Sequence, residues 1–316
     1  MALAVPLSRF TPRVGGGSTF FVRPTRAMKN SHAKAFIFIA LTFLVSWVLA
    51  FSYFALGGSI ASTSFRAMGA AFMSVPMICA LLTQKVLYRE DILQPLGISI
   101  RLNRWTFAAC ILPIFVVVAS TGACFLFVKP FADYSIRSFF FYLLRGLALH
   151  ALPTAVIAFG EEVGWRGLLQ REWSYLGFWR CSLSVGFIWG LWHTPLILHG
   201  YNFPGHPVAG VFGMIIWCIL FSPLIAYICL RSGSVIAAAV MHGTWNVMSG
   251  APTLIFSGTD YFIALLAVLL VLDCGLFWLD RNPGRPNKSP EPTAVGAGSS
   301  AVAVRLASRR WFSFGS

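Results

Sequence analysis

Acidic residues are scarce in this sequence. Ten Asp and Glu stand against 24 Lys and Arg in 316 residues, and charged residues of both signs make up 11% of the chain. Water-soluble domains carry about a quarter charged residues, so a soluble globular composition is excluded. Segments of about ten residues with alternating polarity are missing, which argues against a membrane β-barrel. The seven cysteines form no CxxC pair and all lie inside apolar runs, so they read as small buried hydrophobes. There is no HExxH zinc motif, no GxSxG nucleophile elbow and no pair of aspartates in two apolar runs. What the chain does have is apolar length: 57% hydrophobic residues, a mean hydropathy of +0.75, and runs long enough to cross a bilayer.

The fold class this implies is all-α, a polytopic helical membrane protein with about eight transmembrane helices around a cavity open toward the cytoplasmic side. The spans are expected near residues 36–56, 67–84, 105–128, 139–160, 178–198, 208–230, 234–250 and 261–279. The seventh is short, as a helix lining a cavity would be. Residues 28–281 form the membrane domain, with a catalytic core at about 140–250. Residues 1–27 read as a disordered basic extension and 282–316 as a disordered basic tail. Met28 to Lys34 followed by the first span reads as a signal anchor.

The net charge of +14 sits at the flanks, with six Lys and Arg before residue 35 and six after residue 280. That is the pattern of a membrane protein and not of a nucleic-acid surface, so the partners expected are the lipid bilayer and no nucleic acid. With the N-terminus inside, the inner segments hold twenty Lys and Arg and the outer loops three. Both termini are therefore expected in the cytoplasm, at the inner or plasma membrane if the host is bacterial.

Against this background the stretch from Phe159 to Gly167 stands out, because it sets Glu161 and Glu162 side by side at the end of an apolar run. Carboxylates near hydrocarbon persist where they pair, face a wet cavity or do chemistry. On a helix, Glu162 and Arg166 stand four residues apart and meet on one face. Glu161 is rotated from Glu162 by about 100° and points to another neighbour. The pair thus divides into a tethered carboxylate and an available one.

Two later spans carry further polar groups: His193, two residues before Pro195, and His242 with Asn246, stacked four apart on one helical face. Any one of these histidines alone reads as an interhelical hydrogen bond. Their occurrence together with Glu161 in polar-poor spans points instead to chemistry. Arg145 and His150 read as structural or snorkelling residues, Asp273 as a packing or interfacial acid, and His199 and His206 as outer-loop residues. For amide hydrolysis, Glu161 can take a proton from water, or ligate a metal together with His193 and His242. Asn246 can donate to a developing oxyanion, while Glu162 with Arg166 fixes the helix end. Zn²⁺ is the cofactor those three ligand types suit, conditional on a metal being present. A non-enzymatic membrane protein with an intramembrane polar relay, such as a transporter, is the alternative, although no internal repeat of the polar pattern supports it.

Glu-Glu-x-x-x-Arg, then aromatic-x-x-x-His, then His-x-x-x-Asn on successive helices resembles the CPBP family of intramembrane proteases. That family includes type II CAAX prenyl endopeptidases and bacteriocin-processing or immunity homologues. The resemblance covers about residues 140–250. It implies that Glu161 is the catalytic glutamate, with Glu162 and Arg166 completing the first motif, His193 the second, and His242 and Asn246 the third. It implies an intramembrane endopeptidase acting on a membrane-associated protein or peptide, or a bacteriocin-immunity scaffold without activity. One departure stands out: the aromatic four before His193 is Trp189, where the family usually has Phe.

Overall fold

The computed structural model describes residues 25–131 and 135–281, and among these every regular element is helical. Helix α1 spans Thr25–Ala55. Helix α2 spans Ser64–Leu81 and runs on through a π-helical turn, Leu82–Leu87. Helix α3 is Arg104–Phe127. Helix α4, Ile136–Glu162, continues through a π-helical segment, Val163–Leu169, and a last turn, Gln170–Glu172. There follow α5, Phe178–Trp192, α6, Thr194–Leu198, α7, Pro207–Ser232, α8, Val235–Met248, and α9, Gly258–Arg281. Thr25 to Ala27 begin α1; the rest of the expected basic extension, and the expected tail from 282 onward, lie outside the described residues.

The chain is a helical integral membrane protein. Among the described residues, six helices are long and apolar enough to cross a bilayer, the longest being the 37 residues of Ile136–Glu172. Eight were expected, and the two that fall short are α5 with 15 residues and α8 with 14. At 1.5 Å per residue they span only about 22 and 21 Å of the roughly 30 Å hydrocarbon layer. Helix α5 stops because Pro195 has no N–H to give to the Leu191 carbonyl. The Thr194 hydroxyl donates to that carbonyl instead, at 2.6 Å. The expected single span 178–198 is therefore two helices that part at His193.

Only Gly233 and Ser234 separate the end of α7 from the start of α8. Gly233 takes the left-handed conformation (φ +70°), and Ser234 caps α8 by accepting from the Ile236 amide at 3.1 Å. A Cβ on Gly233 would also lie 2.9 Å from Arg101 Nη1. The Asn103 amide donates to the Ser232 carbonyl at 3.0 Å while its oxygen caps α3, so three helix ends are pinned together.

The closest helix pair is α4 with α8, and small residues allow it. A Cβ on Gly243 would lie 2.4 Å from the Ala155 backbone, and one on Gly146 would lie 2.7 Å from Val247 Cγ1. This approach brings the end of α4 against His242. Gly243→Ala is expected to lower thermal stability in detergent by about 1–3 kcal/mol. Gly69→Ala, where an added Cβ meets nothing within 4 Å, serves as the control. It should be neutral or slightly stabilising, since alanine is the better helix former.

A buried ionic network that hydropathy did not signal joins α1, the residues after α2 and the last turn of α4. Lys34 Nζ meets Glu90 Oε2 at 2.7 Å and Glu172 Oε1 at 3.6 Å. Arg171 Nη2 meets Glu172 Oε1 at 2.6 Å and donates to Gln84 Oε1 at 2.7 Å. The Ser31 hydroxyl reaches the Glu172 carbonyl oxygen at 2.7 Å. Glu90 is 48% exposed, whereas the Glu172 side chain is 4% exposed. Removing one buried partner strands the other charges, so Glu172→Gln should cost about 3 kcal/mol or more. Glu90→Gln should cost less, because water screens that position. Thermal unfolding of the two variants checks the order.

Candidate active site

The site is built where α4 turns into its π-helical segment. Glu162 is fully buried, and its Oε1 accepts from Arg166 Nη1 at 3.0 Å and from His242 Nδ1 at 2.8 Å. Arg166 also reaches the Ser222 hydroxyl of α7 at 3.4 Å and lies over the Trp189 ring, 4.5 Å from its centroid. Glu161 points elsewhere, as its rotation on the helix requires. Its Oε2 accepts from the Trp189 indole at 2.6 Å, and Oε1 has no hydrogen-bond partner among the described residues. Glu161 is 1% exposed.

The tautomers of the two imidazoles follow from their partners. His193 Nδ1 lies 2.8 Å from the Trp189 carbonyl oxygen, which can only accept, so Nδ1 carries the proton. The Nε2 lone pair of His193 is thereby left free. His242 Nδ1 likewise gives its proton to Glu162 and leaves Nε2 uncommitted. His193 is part-buried and His242 buried. Asn246, one turn beyond His242, is exposed and makes no hydrogen bond among the described residues.

The structure thus brings together Glu161, Glu162, Arg166 and His242, and it sets His193 against the same tryptophan. It leaves Asn246 at the surface. Arg145 and His150 are exposed along α4 and away from this cluster. Asp273 is buried in α9, with Oδ1 unpartnered among the described residues.

Residues 144–248 match the family model of Rce1-like proteins, described as type II CAAX prenyl endopeptidase Rce1-like. Over this third of the chain the sequence is similar to type II CAAX prenyl endopeptidases. The matched segment contains all six candidate residues from Glu161 to Asn246. No curated protein matches the chain.

Within this matched segment, Trp189 is the residue whose part the sequence concealed. It touches Glu161 and both imidazoles: its N–H holds Glu161, its carbonyl holds His193, and its ring lies 5.3 Å from that of His242. The signal was the Trp in place of Phe four residues before His193, which adds one N–H donor to an otherwise similar ring. Ser222 was also missed, since a lone serine in an apolar helix carries no motif.

The expected metal ligands are not assembled. Among the described residues no three His, Cys, Asp or Glu side chains gather closely enough to hold a metal ion. The indole of Trp189 bonds one oxygen of Glu161 and packs against both imidazoles, at centroid distances of 5.8 and 5.3 Å. As placed, Glu161, His193 and His242 do not form such a group.

A cleft of about 450 Å³ opens between the α1–α2 and α6–α7 loops, lined by Thr63, Arg66, Tyr201 and Asn202 among others. On the orientation expected from the basic residues this is the outer end, opposite to the side where a cavity was expected. The Tyr201 ring packs against Phe65, 5.4 Å away.

Proposed function

We propose that this chain is an intramembrane endopeptidase that hydrolyses a peptide bond of a membrane-associated protein or peptide. The observation that carries the proposal is the division of the two carboxylates. Glu162 is consumed by Arg166 and His242, while Glu161 keeps one oxygen uncommitted beside two imidazoles with free Nε2 atoms. In this reading Glu161 takes a proton from water, and the hydroxide adds to the scissile carbonyl carbon. His193, through Nε2, orients that water. The Asn246 amide donates to the oxyanion, and its exposure marks the side from which substrate approaches. As the C–N bond breaks, Glu161 returns its proton to the leaving nitrogen. Glu162 and Arg166 hold the helix end, and Glu162 fixes the ring of His242.

A prenylated C-terminal peptide is one substrate the family relation suggests; in a host without prenylation, an unmodified membrane-associated peptide takes its place. Both termini are assigned to the cytoplasm in this reading, on the distribution of Lys and Arg. The chain's own residues carry every step, so cleavage is expected to survive exhaustive chelation. The test is purified protein in vesicles with membrane-anchored peptides, with and without a chelator. Loss on chelation with recovery on added Zn²⁺ would sink the metal-free scheme. No cleavage of any anchored peptide would favour a non-enzymatic scaffold or transporter.

A further inference from the structure

The buried face of α1 is polar along a stripe that neither the motifs nor the mechanism uses. Phe38, Thr42 and Ser46 follow one another at four-residue spacing, and all three are 0% exposed. Consecutive members of such a stripe stand about 6 Å apart. The Ser46 hydroxyl has no hydrogen-bond partner among the described residues, and the Thr42 hydroxyl has only the Cys79 thiol. Neither do the indole nitrogens of Trp165 and Trp192, two fully buried side chains.

The four residues lie on elements that pack together: α1, the π-helical segment of α4 and the end of α5, with α2 beside them. The Trp165 and Trp192 rings are 5.6 Å apart. Phe38 packs edge-on against Trp165, and Phe72 of α2 stacks on Trp192 at 4.2 Å. Thr42 lies beside the Cys79 thiol of α2. Trp47, next to Ser46, donates its indole N–H to the Trp192 carbonyl at 3.2 Å. The His193 ring follows at 4.9 Å from Trp192, so the stripe ends at the site.

Buried polar groups are almost always satisfied, by protein or by ordered water. Three unsatisfied groups, with a Thr42 hydroxyl that has only a thiol beside it, are hard to reconcile with a dry contact between helices, and each hydroxyl could accept as well as donate. We infer that Thr42, Ser46 and the Trp165 and Trp192 indoles hold ordered water, and that this seam supplies water to the His193 side of the site. The inference rests on the hydrolytic reading for its second half only. It answers a need that reading creates, because Glu161 is almost fully enclosed and hydrolysis consumes one water per bond broken.

The experiment uses the full chain in lipid nanodiscs with ¹⁵N-labelled tryptophan. Magnetisation transfer from water to the Trp165 and Trp192 indole protons is measured, with assignments from single Trp→Phe variants. Transfer to both indoles is expected, and it should fall when Thr42→Val and Ser46→Ala are combined. In that double variant, turnover of an anchored peptide should drop roughly tenfold at unchanged KM. Its thermal stability should barely move, since the one protein hydrogen bond removed is the weak one between Thr42 and the Cys79 thiol. No transfer to either indole, or transfer unchanged in the double variant, overturns the wet seam. Transfer lost with turnover unchanged overturns the supply of water. If the wild-type chain cleaves nothing, the transfer measurement still decides the seam, so the two readings fail separately.

Discussion

Glu162→Gln is expected to lower the stability of the chain by about 3–5 kcal/mol, the usual cost of stranding one member of a buried ion pair. Its carboxylate is the partner of Arg166 at 3.0 Å, and both side chains are 0% exposed. The guanidinium would keep only the 3.4 Å contact to Ser222 and the face of Trp189. Its Nε already has no partner among the described residues, so there is little reserve to absorb the loss. The same substitution loosens His242, and activity should fall along with stability. Replacing the pair together, as Glu162→Leu with Arg166→Met, should restore much of the stability, because two apolar side chains leave no charge unpaired. It should not restore activity. Thermal unfolding of both variants, each with a peptide-cleavage assay, separates the two effects.

Glu161→Gln is expected to lower turnover by roughly 10²–10⁴-fold, the range general-base catalysis supplies. Stability should barely move. The amide keeps the shape of the side chain, and its oxygen can still accept from Trp189 at the present 2.6 Å. No cation is left unpaired, since Arg166 and His242 belong to Glu162. Two neighbouring glutamates with opposite signatures, one catalytic and one structural, are the core of this account. If Glu161→Gln unfolds the chain and Glu162→Gln is silent, the roles are reversed.

The division between the carboxylates was legible because it depends on local geometry alone. Four-residue spacing puts Glu162 on Arg166, and a turn of about 100° sends Glu161 away from it. Hydropathy likewise revealed the long spans, and the brevity of α8 could be read from Ser234 at one end and Ser249-Gly250 at the other. What periodicity could not show is which helix receives each side chain. The Trp189 donor is 28 residues from Glu161, and the His242 that meets Glu162 is 80 residues away. The same holds for the α1 contribution. Window averages dilute Lys34, Thr42 and Ser46 into an apolar run, although all three face inward. Asn246 shows the limit from the other side: stacking with His242 was legible, but the step from buried to exposed within one helical turn was not. The count of spans missed for a related reason, since Pro195 ends α5 early while hydropathy continues through it.

The central claim is that Glu161 activates a water that adds directly to a peptide carbonyl. Single-turnover cleavage of a membrane-anchored peptide in H₂¹⁸O tests it most directly, with mass spectrometry of both the product and the protein segment around Glu161. The account predicts one heavy oxygen in the new C-terminal carboxylate of the product and none in Glu161. Heavy oxygen in the Glu161 side chain would mean that the carboxylate itself attacks, and a product without a new carboxylate would mean that the chain is no hydrolase.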